Sequence, residues 1–253
     1  MIVRLVGSEM CIRDRRLTGI ESGVEITTIA DIPGQGTGLG SSSSVTVGLL
    51  NAMHAFQGRE ASKDQLAEEA CQIEIDTLGA PIGRQDQYAA SFGGVNSIRF
   101  GENGVQVEPI EVSEGLSKKF SENFTLVFTG MTRSASKVLS KQSDDESDKN
   151  NRMREIRKHA DEAASFIQQG DLDSLGAILN QTWISKRGVS SMITNTQIDD
   201  LYESAISSGA IGAKLLGAGN GGFLLVCGNQ QLRGILQREL GAGHRMFPLE
   251  ICL

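Results

Sequence analysis

The sequence has little of what staples, kinks or anchors a chain: four cysteines, four prolines, one tryptophan and 5% aromatic side chains in 253 residues. Cys11, Cys71, Cys227 and Cys252 are far apart and form no CxxC pair. That excludes a disulfide framework and a cysteine-based zinc site, and favours a reducing, cytoplasmic setting. No apolar run approaches the roughly 20 residues that cross a bilayer. The N-terminal Met1–Val6 is too short for a secretory core and is interrupted by Arg4. Positive charge is also in deficit. With 24 Lys and Arg against 31 Asp and Glu, the net charge is −7, which argues against nucleic acid or an anionic membrane as partner. Any anionic ligand must be held locally, by backbone amides, a metal or a few basic side chains. His54, His159 and His244 are isolated and read as packing or surface residues, and no cluster has zinc-ligand spacing.

What is present suits an ordinary globular chain of one or two domains, with 39% hydrophobic and 22% charged residues. Val24–Ala30 is β-branched and alternating, and predicts a strand. A glycine-rich turn spans Pro33–Gly40, and Ser41–Phe56 predicts a buried helix. Ser62–Asp76 predicts a second helix, with Ser62 and Gln65 at capping-box spacing. Gly79, Pro81 and Gly83 make Leu78–Arg84 a loop. Strands are expected at Gly94–Phe100, Gly104–Ile110 and Phe124–Thr129, the first two forming a hairpin around Glu102–Gly104. Ser134–Lys186 has a helical pattern with a charged interruption at Gln142–Asn151. Another helix is expected at Thr196–Ser207, followed by strands Ala213–Leu216, Phe223–Val226 and Arg245–Ile251, with helix Gln230–Leu240 before the last. Mixed elements without strict βαβ alternation give an α+β fold, with a domain change near residue 118.

Three segments carry chemistry. In Pro33-Gly-Gln-Gly-Thr-Gly-Leu-Gly-Ser-Ser-Ser-Ser44, glycines free successive amides to point one way, and the following helix offers unpaired N–H groups. The loop lacks the lysine of a Walker A motif, and no Gly-x-Ser-x-Gly marks a hydrolase nucleophile. The bland alternative is a flexible Gly/Ser linker, but a strand precedes the segment and an apolar helix follows it. Glu74 and Asp86 stand twelve positions apart across a Pro/Gly turn. Phosphoryl transfer to a hydroxyl uses one carboxylate for a metal and one at the acceptor oxygen. Taken alone, two such carboxylates are as readily solvated helix ends. Gly217-x-Gly219-x-x-Gly222 matches the dinucleotide fingerprint in letters. That fingerprint must open a helix, yet Phe223–Val226 reads as a strand, so a strand–turn–strand hairpin approaching a ligand fits better.

These segments resemble a known family. Thr37-Gly-Leu-Gly-Ser-Ser-Ser43 looks like the second motif of the GHMP kinases, which include galactokinase, homoserine kinase and mevalonate kinase, and Gly217–Gly222 looks like the third. Gly83-Arg-Gln-Asp-Gln-Tyr-Ala-Ala90 with Phe92-Gly-Gly94 is similar to the branch of D-glycero-D-manno-heptose 7-phosphate kinases. Thr129–Ala135 and Trp183-x-x-Lys-Arg187 are similar to that branch as well. The likeness implies a ribosomal-protein-S5-like N-terminal domain over residues 17–118 and a ferredoxin-like C-terminal domain over 119–253. It implies ATP and Mg²⁺ as cofactors and a sugar phosphate as the small-molecule partner. It says nothing of the oligomeric state.

Residue by residue, the resemblance implies that Gly36, Thr37, Gly38, Leu39, Gly40, Ser41, Ser42 and Ser43 wrap the ATP phosphates. Ser42 and Glu74 would contact Mg²⁺, and Asp86 would orient or deprotonate the attacking hydroxyl. Gly217, Gly219, Gly221 and Gly222 would shape the site, and Arg84 and Arg133 are candidates for the substrate's phosphate. Two departures from the family pattern are one extra residue between Pro33 and Gly36 and Asn220 where glycine is commoner. A fucokinase- or galactokinase-like enzyme, or a non-catalytic sugar- or nucleotide-binding protein, are the alternatives. Residues 1–16 fit neither the family nor a targeting signal, and are expected to be a non-native or unstructured head. The likeness begins only near Leu17–Val24, so the chain is expected to lack a front segment and to be inactive or nearly so.

Overall fold

In the computed structural model, residues 2–3, 17–20, 24, 26, 28–29, 37–132 and 146–251 are described. The chain divides into two compact units, residues 1–93 and 94–253. The division falls ahead of the change expected near residue 118. The hairpin that follows Gly93 belongs with the second unit, where Arg99 pairs with Asp161 at 2.9 Å.

In the first unit, β1 (Ile2–Val3) pairs antiparallel with β2 (Thr28–Ile29), which lies inside the expected strand. The rest of the expected head, residue 1 and residues 4–16, lies outside the described residues. Helix α1 (Ser41–Phe56) buries Val47, Leu50, Met53 and His54 at helical spacing. Thr18 is tied to it, since its hydroxyl donates to Met53 Sδ at 3.4 Å and its carbonyl accepts from Arg59 at 2.7 Å. Helix α2 (Lys63–Cys71) is capped by Ser62, whose hydroxyl accepts from Gln65 N–H at 3.1 Å. Only half of the capping box forms, because the Gln65 amide donates forward to Glu69 instead. The helix then widens into a π-helical turn, Gln72–Thr77, in which Leu78 N–H reaches back five residues to the Ile73 carbonyl at 2.9 Å. Helix α3 (Gln85–Phe92) was not expected, because an eight-residue helix after a Pro/Gly loop leaves almost no periodic signal. The α1 and α2 faces meet around Val47, Leu50, Leu66, Ala70 and Ile73.

The second unit opens with the expected hairpin, β3 (Val95–Gly101) and β4 (Gly104–Ile110), in which Gly101 faces Gly104. Helix α4 (Glu114–Asn123), also not expected, is capped by Ser113. Strand β5 (Phe124–Phe128) follows. Helices α5 (Glu146–Gln169) and α6 (Leu172–Arg187) meet at Gly170–Asp171, and the Asp171 carboxylate caps α6. Then come α7 (Thr196–Ser207), β6 (Gly212–Leu215), β7 (Phe223–Cys227), α8 (Leu232–Leu240) and β8 (Met246–Pro248).

Strands β6, β7, β5 and β8 form one antiparallel sheet in that order. The sheet is apolar on both faces, so β5 and β7 read as unbroken hydrophobic runs. Leu224 and Val226 join a cluster with Trp183, Ile198, Leu201 and Leu236, while Leu225 and Cys227 face one built on Phe124, Leu172 and Leu175. Trp183 is therefore a core residue. Strand β8 is shorter than the expected Arg245–Ile251; it is an edge strand ending at Pro248, which has no N–H to donate. The mixture of sheet and helix is the α+β class.

Gly212 shows how tightly α6 covers this sheet. A Cβ there would stand 2.1 Å from the Gly176 carbonyl oxygen and 2.8 Å from Asn180 Cβ. Backbone cannot yield as a flexible side chain does. Gly212→Ala is expected to destabilise the protein by about 1–3 kcal/mol, the usual range for overpacking. Chemical denaturation of the variant would show it, and an unchanged midpoint would mean that the α6–β6 contact is looser than described.

Candidate active site

The turn into α1 is built for an anion. Gly38 and Gly40 take φ values of 74° and 68°, where a Cβ would be strained. No side chain caps α1 and no acidic residue lies in its first turn. The first intrahelical bond is Ser44 N–H to the Gly40 carbonyl at 2.9 Å, so the N–H groups of Ser41, Ser42 and Ser43 have no carbonyl partner within the helix. Those donors and the positive end of the helix dipole suit a phosphate. Buried Thr37 steadies the turn, its hydroxyl 3.1 Å from that of Ser41. Leu39 is half-buried between the two glycines. Gly36 lies outside the described residues.

Glu74 stands beneath this turn. It sits in the π-helical turn, only 3% exposed and adjacent to buried Ile73. Widened turns of this kind recur at functional sites because they redirect side chains out of helical phase. Its two oxygens accept three hydrogen bonds, from Ser42 Oγ at 2.6 Å, Ser43 Oγ at 2.7 Å and Gln87 Nε2 at 2.6 Å. Two consecutive serines of α1 thus converge on one carboxylate, and fully buried Gln87 fixes it from α3. The oxygen of that amide, Gln87 Oε1, is buried with no partner among the described residues.

Asp86 precedes Gln87 in the first turn of α3. A Cβ on Gly40 would lie 3.5 Å from Asp86 Cβ and Cγ, so the aspartate side chain rests against the glycine that opens α1. The residue remains exposed, yet the protein around its carboxyl and, less strongly, the Glu74 charge raise its pKa above the ordinary carboxylate range. Short helix α3 delivers one neighbour to the surface and the next to the buried carboxylate. Gln87 was missed in the sequence because glutamine carries no catalytic signature.

Mg²⁺ takes hard oxygen donors, keeps several waters and phosphate oxygens, and needs only one or two protein ligands. In an octahedron at that ion's usual bond length, neighbouring oxygens lie about 2.9 Å apart. Ser42 Oγ and Glu74 Oε1, at 2.6 Å, need only a slight opening. These two residues fit the ion. Among the described residues no group of three His, Cys, Asp or Glu side chains stands ready for a metal, so the bulk of its coordination would come from phosphate and water.

The other sequence candidates are spread more widely. Arg84 is engaged: its guanidinium pairs with Glu68 and lies 5.7 Å over the Tyr88 ring. A phosphate there would have to displace the Glu68 carboxylate. Arg133 lies outside the described residues. A cavity of about 560 Å³ beside α2 is lined by Glu68, Cys71, Asp76 and Arg84 among others, and includes none of Ser42, Glu74 and Asp86. In the second unit, Gly217, Gly219, Gly221 and Gly222 all take positive φ, as does Asn220, making the strand–turn–strand hairpin expected from sequence. Thr129 and Met131 hold it through Gly222. Cys71 and Cys227 are buried free thiols, and Cys11 and Cys252 lie outside the described residues.

The family description "GHMP kinases N terminal domain" matches residues 5–94, and "GHMP kinases C terminal" matches residues 163–243. A curated relative, D-glycero-alpha-D-manno-heptose 7-phosphate kinase of Campylobacter jejuni, is 32% identical over 200 residues, which cover 78% of this chain and 59% of the relative. The L-fucokinase/L-fucose-1-P guanylyltransferase of Bacteroides fragilis is 27% identical over 90% of this chain and 24% of its own length. The chain therefore spans less than two thirds of these curated relatives. Among solved structures, a D-glycero-D-manno-heptose 1-phosphate kinase from Bacteroides thetaiotaomicron superposes with a TM-score of 0.74 at 22% identity, over 98% of this chain and 74% of that one, a likeness of fold.

Proposed function

The chain belongs to the GHMP kinase family, and from that premise we propose that it transfers the γ-phosphoryl group of ATP to a hydroxyl of a sugar phosphate, D-glycero-D-manno-heptose 7-phosphate. One observation carries the reading: Gly40, Ser42, Ser43, Glu74 and Asp86 meet at the open end of α1. A phosphate cradle, a buried oxygen ligand and a solvent-facing carboxylate in one place are the parts that phosphoryl transfer to a hydroxyl needs.

The N–H groups of Ser41–Ser43 and the Gly38–Gly40 turn bind the nucleotide's phosphates. When bound, Mg²⁺ neutralises phosphate charge, and Ser42 and Glu74 would hold it. Asp86 accepts a hydrogen bond from the attacking hydroxyl and takes its proton as the oxygen–phosphorus bond forms and the bond to the ADP oxygen breaks. Its raised pKa brings it nearer the range in which a carboxylate works as a base. The Ser43 hydroxyl and the Gln87 amide hold Glu74, and Gln87 touches neither reactant. No helix among the described residues is long and apolar enough to cross a membrane. A cytoplasmic setting accords with the buried free thiols of Cys71 and Cys227.

The fucokinase relative, matched over 90% of this chain, supports a second reading as a kinase of an unphosphorylated sugar. A panel settles the matter: D-glycero-D-manno-heptose 7-phosphate, the free heptose, fucose and galactose, each with ATP and Mg²⁺. ADP release is expected chiefly with the heptose phosphate. Preference for fucose would favour the second reading. ATP binding without turnover on any sugar would point to a binding protein.

A further inference from the structure

The side chain of Asp86 rests on Gly40, so where its carboxylate stands follows from where α3 lies. By itself α3 has little to keep it in place. It is eight residues long, below the length at which an isolated helix persists in water, and no side chain caps its start. Its position must come from what holds it within the first unit.

Helix α2 and its π-helical extension grip α3 along its length. At one end Lys63 Nζ, from the first residue of α2, donates to the carbonyl of Phe92, the last residue of α3, at 2.8 Å. At the other, Gln87 Nε2 donates to Glu74 at 2.6 Å. Between them stands Glu68, which uses both carboxylate oxygens. Its Oε1 accepts from the Tyr88 hydroxyl and its Oε2 from Arg84 Nη2. The Arg84 guanidinium also lies 5.7 Å over the Tyr88 ring, so the three side chains form one closed group.

The two bonds to Glu68 come from the residues two before and two after Asp86. Positions 84, 87 and 88 share one side of a helix, and position 86 falls on the other. Exposure follows that division, with Gln87 and Tyr88 buried and Asp86 exposed. A roll or slide of α3 would carry Asp86 off Gly40, and it would have to break both bonds to Glu68. As a device for stability alone the group is poor. The Arg84 and Glu68 side chains are 40% and 53% exposed, and ion pairs so well solvated contribute little.

We infer that Glu68 is a positioning residue for the reaction: through Arg84 and Tyr88 it fixes the turn of α3 that carries Asp86 against Gly40. The inference rests on the reading of Asp86 as the base. It gives Arg84 a task beside the site in place of a contact to the substrate's phosphate.

The test uses Glu68→Ala, Tyr88→Phe, Asp86→Asn and the double variant Glu68→Ala/Asp86→Asn. The first readout needs no turnover. It is a carbon-13 NMR titration of the Asp86 carboxyl, assigned by its absence in Asp86→Asn. Burial, and then the Glu74 charge, raise the pKa of this group. Once α3 loosens, water reaches the carboxyl, and in Glu68→Ala the pKa should fall toward the ordinary 3.8. Tyr88→Phe leaves every charge in place and should shift it the same way. Both variants should melt close to the wild-type temperature, since the Arg84–Glu68 pair is well solvated. The second readout is kinetic. Glu68→Ala is expected to lower kcat about 10- to 100-fold, the scale of a small misplacement, with the KM for ATP little changed. Added to Asp86→Asn, it should cost almost nothing more, because a positioning residue acts only through the group it places. An Asp86 titration unchanged in both Glu68→Ala and Tyr88→Phe would overturn the inference. So would losses that multiply in full in the double variant, which would make Glu68 a structural residue only. If Asp86→Asn turns over like wild type while the titration still shifts in Glu68→Ala, the placement by Glu68 stands and the base reading falls.

Discussion

Asp86→Asn is expected to lower turnover by about 10²-fold or more, the usual scale for a positioned acid–base group, with little change in ATP affinity. The side chain keeps its size against Gly40 and loses only its charge. A second expectation separates this from general damage. Asp86 has a raised pKa in the folded protein, so its contribution to stability is fully present below the unfolded value of 3.8 and is lost as pH rises through the folded one. Removing the charge should therefore leave the variant at least as stable as wild type at neutral pH, with the advantage shrinking as pH falls through the folded pKa and gone below 3.8. Single-turnover kinetics and melting curves across pH read both effects. The wild-type rate should decline as Asp86 becomes protonated, and the variant should lack that limb. Undiminished turnover would falsify the role of Asp86.

Glu74→Gln should harm both stability and metal use. An amide of the same shape offers one acceptor oxygen where the carboxylate offers two. Ser42 Oγ, Ser43 Oγ and Gln87 Nε2 would then compete, with at least one buried donor facing another donor. Leaving buried partners of a charged group unsatisfied costs about 1.5–3 kcal/mol. If Glu74 also holds Mg²⁺, the Mg²⁺ concentration for half-maximal rate should rise about 10- to 100-fold, the effect seen when metal-site contacts are removed. Ser42→Ala isolates the second effect, since exposed Ser42 contributes less to stability. Lower stability with wild-type Mg²⁺ dependence in both variants would make Glu74 a structural carboxylate only.

Much of this was legible in the chain because it follows local rules. The Ser62 cap, the Ser41–Phe56 helix, the turn at Glu102–Asn103 and the buried runs of β5 and β7 follow from propensity, capping and periodicity. The glycine spacing before Ser41 announced an anion cradle for the same reason, since φ preference belongs to the residue itself. Helices α3 and α4 escaped notice, being too short to show a period. The π-helical turn also left no sequence signature, because a single widened turn depends on what presses against it.

The sequence alone determined the α+β class, the phosphate cradle and the two carboxylates as candidates. Each is written in residue type and near-neighbour spacing. Only the tertiary structure decided that Glu74 is buried under Ser42 and Ser43, that Gln87 holds it, and that Asp86 lies against Gly40. It alone tied Arg84 to Glu68 and joined Lys186 to the carbonyl of Gly217. Whether a charge is paired or stranded depends on what folding brings within a few ångströms, from positions that in the sequence lie tens of residues apart.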